Sequence, residues 1–345
     1  MRWRAPIERE PVRREDKFVI ITSINKPGAA VSAFANWAGW QVVVVGDRKT
    51  PRDWFCENVT FLGIEDQLRD RPGFANRIPE NSYVRKMFGY IHAIRSGASM
   101  ILDTDDDNLP YPGAADAISV LAEDPGGAGV ARVGSDCGWL NVYAAFGAPA
   151  CWPRGFPLEF VRDPKTRGRP GEDSKAWAVA QFLVNDDPDV DALYRLIVGD
   201  PIRFIGGRTL VLAEGTFCPF NSQATLWLPE AFPLLFLPMG VSDRVADILR
   251  GYISLACLWR MNRSVAYSSP LFWQERNPHR LLDDFRQEVP LYLDANRIAQ
   301  TLVDPEGESP SSCYRSCLSR LEAMGAVPAG LRETYQHFLD ESGLK

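Results

Sequence analysis

Phe18-Val19-Ile20-Ile21 and Val42-Val43-Val44-Val45 are unbroken apolar runs, and each ends in a polar turn, Asn25-Lys26-Pro27-Gly28 and Gly46-Asp47-Arg48-Lys49. Short apolar runs bounded by turn residues predict strands buried on both faces. Between them, residues 29–39 carry Val31, Phe34 and Ala35 at helical spacing, with Gly39 as the stop. Phe61-Leu62-Gly63-Ile64 predicts a short third strand. Residues 83–96 place Met87, Tyr90, Ile91 and Ile94 on one helical face and end at Gly97. Met100-Ile101-Leu102 then predicts a strand running into Asp103-Thr104-Asp105-Asp106-Asp107. Strands alternating with helices imply a parallel sheet with right-handed crossovers. Ligands of such sheets bind beyond the carboxyl ends of the strands. The polar clusters at 22–26, 47–49 and 103–107 are therefore expected to converge on one rim.

The second half is less regular. Residues 162–176 are rich in Arg, Gly, Pro, Lys and Asp and read as a long exposed loop. Asp186, Asp187, Asp189 and Asp191 form an acidic turn, read mainly as the cap of a following helix. Residues 243–259 predict a long helix with Val245, Ile248, Leu249, Tyr252 and Ile253 on one face. Ser309-Pro310 is a helix start, with an N-cap serine and proline at the first position. It opens a helix to about residue 323, and a second follows over about 331–340. Three regions result: a charged tail over 1–16, an α/β domain over 17–300, and a helical C-terminal extension over 301–345, which packs on the domain or joins two copies of the chain.

Composition narrows the class. Apolar residues make up 46% and charged residues 24%, the balance of a folded globular chain. The net charge of −6 argues against sequence-independent nucleic-acid binding, which needs a basic surface. The apolar stretch 224–241 is broken by Pro229, Glu230, Pro233 and Pro238, so it does not predict a membrane span. No apolar signal core precedes residue 17, and the seven cysteines show no CxxC spacing. A reduced, cytoplasmic location is expected.

The chemistry concentrates in Asp103, Asp105, Asp106 and Asp107. Four carboxylates at this spacing repel one another, and a hard divalent cation would remove that cost. An EF-hand is excluded, because Asn108 stands where its glycine would be and Ala114 where its glutamate would be. A haloacid-dehalogenase-type phosphatase fits poorly, since Asp107 occupies its threonine position and two strands precede the motif. The Asp-x-Asp of nucleotide-sugar glycosyltransferases, which ends a mid-sheet strand, fits both the position and the chemistry.

The surroundings sharpen that reading. Asn81-Ser82-Tyr83-Val84-Arg85-Lys86-Met87-Phe88-Gly89-Tyr90 precedes the aspartates, and Trp152-Pro153-Arg154-Gly155-Phe156-Pro157 follows. Further on come Asn221-Ser222-Gln223-Ala224-Thr225-Leu226-Trp227-Leu228-Pro229-Glu230 and Val241-Ser242-Asp243-Arg244-Val245-Ala246-Asp247. In this order the motifs, over roughly residues 17–290, resemble the STELLO family of glycosyltransferase-like proteins. They are more distantly similar to the reversibly glycosylated polypeptides, the UDP-arabinopyranose mutases.

The resemblance implies a GT-A-like fold: a Rossmann-like, mostly parallel central sheet flanked by helices. It implies a glycosyltransferase using a nucleoside-diphosphate sugar, UDP by analogy, and a glycan, lipid or protein acceptor. Asp105 and Asp107 would then hold Mn²⁺ or Mg²⁺, with Asp103 and Asp106 as substitutes or ribose ligands. Thr22, Asn25, Asp47 and Lys49 would meet the nucleotide, and Arg85 or Lys86 would neutralise a phosphate. Arg154 would contact the diphosphate or, by the mutase analogy, carry the sugar. Asp247, then Asp243, would be the general base of an inverting transfer, with Glu230 outside them. Trp227, Phe232 and Phe236 are read as core rather than as sugar platforms. Two alternatives stay open: a sugar-nucleotide mutase, and a non-catalytic partner of polysaccharide-synthesising enzymes.

Overall fold

The computed structural model describes residues 16–127, 130–171, 175–277 and 280–345. The tail reading for 1–15 lies outside the described residues. The strands are β1 (Lys17–Thr22), β2 (Trp40–Val45), β3 (Val59–Leu62), β4 (Met100–Thr104), β5 (Asn108–Pro110), β6 (Ala131–Gly134), β7 (Arg169–Pro170), β8 (Ala176–Asn185), β9 (Thr209–Leu212), β10 (Ala224–Trp227) and β11 (Arg263–Gln274). They form one sheet in the order β3-β2-β1-β4-β10-β8-β11-β9-β6-β7, with β5 added against β11.

The first four strands are parallel, as the alternation of strands and helices predicts. A mostly parallel sheet holds only for that half. β10 runs antiparallel to both β4 and β8, and β9 runs antiparallel to β11. The connections there are loops and 3₁₀ turns as often as helices, so the geometric constraint of the crossover helix lapses.

Successive residues of β1 and β2 point to opposite faces. Phe18, Ile20, Val43 and Val45 enter one buried cluster, and Val19, Ile21, Val42 and Val44 enter another. Burial on both faces is why these strands carry no polar alternation. Helices Met87–Arg95 and Asp243–Arg260 cover the first face, and helices Ala29–Ala35 and Ala114–Glu123 flank the second.

The C-terminal helices Pro310–Ala323 and Leu331–Ser342 start where the caps predict, Ser309 accepting a bond from the Ser312 amide. They pack on the main body. Tyr314 and Tyr335 donate to the carbonyls of Phe236 and Pro233, and Cys313, Leu318, Leu321 and Phe338 join the first-face core. Trp227, Phe232 and Phe236 are buried in that same core.

Close packing sets one sharp constraint. A Cβ at Gly251 would lie 2.5 Å from the Phe220 carbonyl oxygen, inside helix Asp243–Arg260. Gly251→Ala should therefore lower the unfolding free energy by about 1–3 kcal/mol in urea titration, because the backbone clash outweighs alanine's better helix propensity.

Candidate functional site

Strand direction brings the site together. β1, β2 and β4 end at one rim, supplying Thr22 as the last residue of β1 and Asp47 and Asp105 just past the ends of the other two. β10 runs the other way, so its start lies at the same rim and brings Gln223. β8 and β11 again end there, bringing Asp189 from one and Gln274, Arg276 and Asn277 from the other. The N-terminal turn of helix Asp243–Arg260 closes the side with Asp243, Arg244 and Asp247. These residues line a cavity of about 660 Å³.

The four aspartates do not share one environment. Asp103 is fully buried and paired with Lys86 at 2.7 Å and Arg250 at 2.8 Å. It does not face the cavity, so the expectation that it meets the ribose or substitutes as a ligand is corrected. It sits inside the sheet, opposite Ile20 in register, where its side chain falls on the helix-covered face. Asp105, Asp106 and Asp107 lie beyond the strand and do face the cavity.

Asp105 accepts a hydrogen bond from the Tyr83 hydroxyl at 3.0 Å and from Lys86 Nζ at 3.2 Å. Burial nonetheless pushes its carboxyl up to about 7, Lys86 opposing and Asp107 and Asp103 reinforcing the shift. Burial also raises Asp107, which accepts from Gln274 Nε2 at 2.9 Å. Asp106 accepts from Ser23 Oγ at 2.5 Å and Asn25 Nδ2 at 3.0 Å.

Two other expected phosphate contacts are corrected. Arg85 is 1% exposed and donates to Gln67 Oε1 and the Ile78 carbonyl, stacked over Phe88. Lys86 is fully buried, its ammonium between Asp103, Asp105 and the Thr104 carbonyl. Both belong to the turn Tyr83–Lys86, which turns them inward under the rim.

Arg154 lines the cavity wall with its guanidinium held on both sides, by Asp189 at 2.7 Å and Asp247 at 2.9 Å. Burial opposes its charge, but the two carboxylates outweigh that. An arginine held this way, 4% exposed, is not placed to carry a sugar, which corrects that expectation. The same pairing separates the two candidate bases, both of which line the cavity. Asp247 gives both oxygens to Arg154. Asp243 also lines the cavity, accepts from Ser82 Oγ at 2.8 Å as its one side-chain partner among the described residues, and is raised by burial. Glu230 pairs with Arg263 away from the cavity.

Thr22, Asn25, Asp47 and Lys49 all line the cavity. Thr22 donates to the Val45 carbonyl, and Asp47 accepts the Arg48 and Ser82 amides, so it also fastens the 81–83 segment. The acidic turn divides its work. Asp191 caps helix Ala192–Ile197, Asp189 pairs with Arg154, and Asp187 pairs with Arg195 and Arg276.

Sequence reasoning missed Arg244, Gln274, Arg276 and Asn277 as cavity residues. Arg276 is held by Asp187, its guanidinium pulled down by burial and by the nearby Arg244. The available signal was the polar run Gln274-Glu275-Arg276-Asn277 closing an apolar strand, the same signature that marked the other rim segments.

Among the described residues, no group of three or more His, Cys, Asp or Glu side chains is set to hold a metal. Asp105 and Asp107 fit a smaller role, as two desolvated, mutually repelling carboxylates on one cavity. Magnesium-type sites commonly use one or two carboxylates, with phosphate oxygens and water completing the shell.

The parallel strands end in a carboxylate-lined cavity and antiparallel strands continue the sheet past the aspartate strand, which makes this an α/β chain with one large mixed sheet flanked by helices. The chain is 29% identical over 304 residues to the Arabidopsis thaliana protein named "Probable glycosyltransferase STELLO2". It is 28% identical over 314 residues to "Probable glycosyltransferase STELLO1" of the same plant. The matches cover 84% and 86% of this chain but 39% and 40% of the relatives. The chain thus spans about two fifths of the length of the curated relatives it matches, and the relationship supports the STELLO family. No family model matches. A solved structure titled "Crystal Structure of a Mycobacterial Protein" aligns with 81% of this chain and 74% of its own, at 10% identity and TM-score 0.42. Among the described residues, no helix is long and apolar enough to cross a membrane.

Proposed function

We propose that the chain is a metal-dependent glycosyltransferase that takes a nucleoside-diphosphate sugar, a UDP-sugar by the family relationship, into the rim cavity. The observation that supports this most is the set Asp105, Asp106 and Asp107 on the cavity wall, beside Thr22, Asn25 and Asp47 from neighbouring strand ends. Asp105 and Asp107 would hold Mn²⁺ or Mg²⁺, which supplies charge neutralisation to the departing diphosphate when bound. Asp106, pinned by Ser23 and Asn25, keeps the 23–25 loop against the aspartate turn. Arg244 and Arg276 bring guanidinium groups to the same cavity. Asp243, raised by burial and open to the cavity, is the base that takes the acceptor hydroxyl proton.

Titration of UDP and UDP-sugars calorimetrically, with and without Mn²⁺, tests the reading. Mn²⁺ should strengthen UDP binding. Asp105→Asn and Asp107→Asn should each erase that gain, on the order of 100-fold, as expected for several kcal/mol of metal-borne charge stabilisation. Binding that ignores both the metal and the substitutions sinks the metal site. Free UDP with a glycosylated acceptor marks a transferase, whereas an isomerised UDP-sugar marks a mutase.

A further inference from the structure

Tyr83 and Lys86 stand at the two ends of the 3₁₀ turn Tyr83–Lys86. Side chains three apart in such a turn eclipse one another, so both point the same way. Lys86 Nζ lies 2.8 Å from the Tyr83 hydroxyl oxygen and 4.9 Å from the ring centroid. The ammonium is the donor there, so the hydroxyl keeps its own proton for Asp105 Oδ1, at 3.0 Å. Lys86 adds a second donor to the same oxygen at 3.2 Å. The turn thus engages one oxygen of Asp105 and leaves Oδ2 unengaged by it, on a carboxylate that faces the cavity. Lys86 is itself fixed from below by Asp103, which Arg250 holds in turn. Asp105 is therefore oriented by a buried chain running back to helix Asp243–Arg260.

We propose that Tyr83 is a positioning residue for the cation site: its hydroxyl, backed by Lys86, fixes the orientation of Asp105, the carboxylate that would hold a divalent ion. This rests on the metal-dependent reading above. Partners in the outer shell that fix a ligand's orientation typically change metal affinity by about 10–100-fold when removed. Tyr83 bonds the Asp105 carboxylate directly, so its loss should be read through Asp105.

The test is Mn²⁺ binding to the purified chain in saturating UDP, followed by the paramagnetic signal of free Mn²⁺. Tyr83→Phe, which removes one oxygen atom, should weaken Mn²⁺ by about tenfold or more. UDP binding without metal should be unchanged, and the ligand-free chain should keep a cooperative thermal unfolding transition. In an Asp105→Asn background, Tyr83→Phe should cost nothing further, because a residue acting through Asp105 has nothing left to position. Wild-type Mn²⁺ affinity in Tyr83→Phe overturns the inference, as does an equal loss in the Asp105→Asn background. If the wild-type chain takes up no Mn²⁺ in UDP, the metal-dependent reading itself falls, an outcome distinct from either of these.

Discussion

Arg154→Met is expected to lower the unfolding free energy by about 3–5 kcal/mol, the range for removing one partner of a buried ion pair. Asp189 and Asp247 would be left as buried, unpaired carboxylates at the cavity wall. The neighbouring cation offers little relief, since Arg244 is 3.8 Å from Asp189 and already committed to Glu288 at 2.5 Å. Urea denaturation gives the number directly. Arg154→Lys keeps the charge but loses the planar fork that serves two carboxylates at once, so it should fall between wild type and Arg154→Met. A substitution to methionine that leaves stability unchanged would show that Arg154 is not the structural cation its contacts describe.

Asp243→Asn is expected to lower the turnover of sugar transfer by about 10²–10⁴-fold, the usual contribution of a positioned base, with UDP affinity preserved. The amide keeps the size and the Ser82 contact but cannot take a proton. Burial raises the Asp243 carboxyl above its usual value. A base must be deprotonated to act, so the wild-type rate should fall as pH drops through a value above the ordinary aspartate range. That acid limb should be missing from the residual rate of Asp243→Asn. Asp247→Asn should behave differently, disturbing stability through Arg154 more than it disturbs the proton transfer. Unchanged turnover in Asp243→Asn would remove it from the mechanism.

The contrast between these two aspartates shows what sequence can and cannot reach. Their spacing of four places both on one helix face, and that is legible. Which one is consumed by an ion pair depends on Arg154, ninety-odd positions away along the chain and beside them only in the folded molecule. Arg85 and Lys86 teach the same lesson. A basic pair before an aspartate motif reads as a phosphate site, yet the 3₁₀ turn directs both side chains inward. The strands and helix starts of the first half were legible because each rests on a local signal: an apolar run, a turn, an N-cap serine. Arg276 closes an apolar strand with the same local signal, but its place on this rim follows from β8 and β11 running in parallel, a long-range pairing.

By itself the sequence determined that the apolar runs become strands buried on both faces, that their polar ends share one rim, and that aspartates crowd it. Those properties follow from periodicity and from the chirality of the crossovers, which act locally. Only the tertiary structure divided the negative charge into spent and open carboxylates. Asp103 is neutralised inside the sheet by Lys86 and Arg250, whereas Asp105, Asp106 and Asp107 stand past its end. The physical reason is that a buried charge must find its partner through space. No spacing along the chain records which cation, from which helix, arrives to meet it.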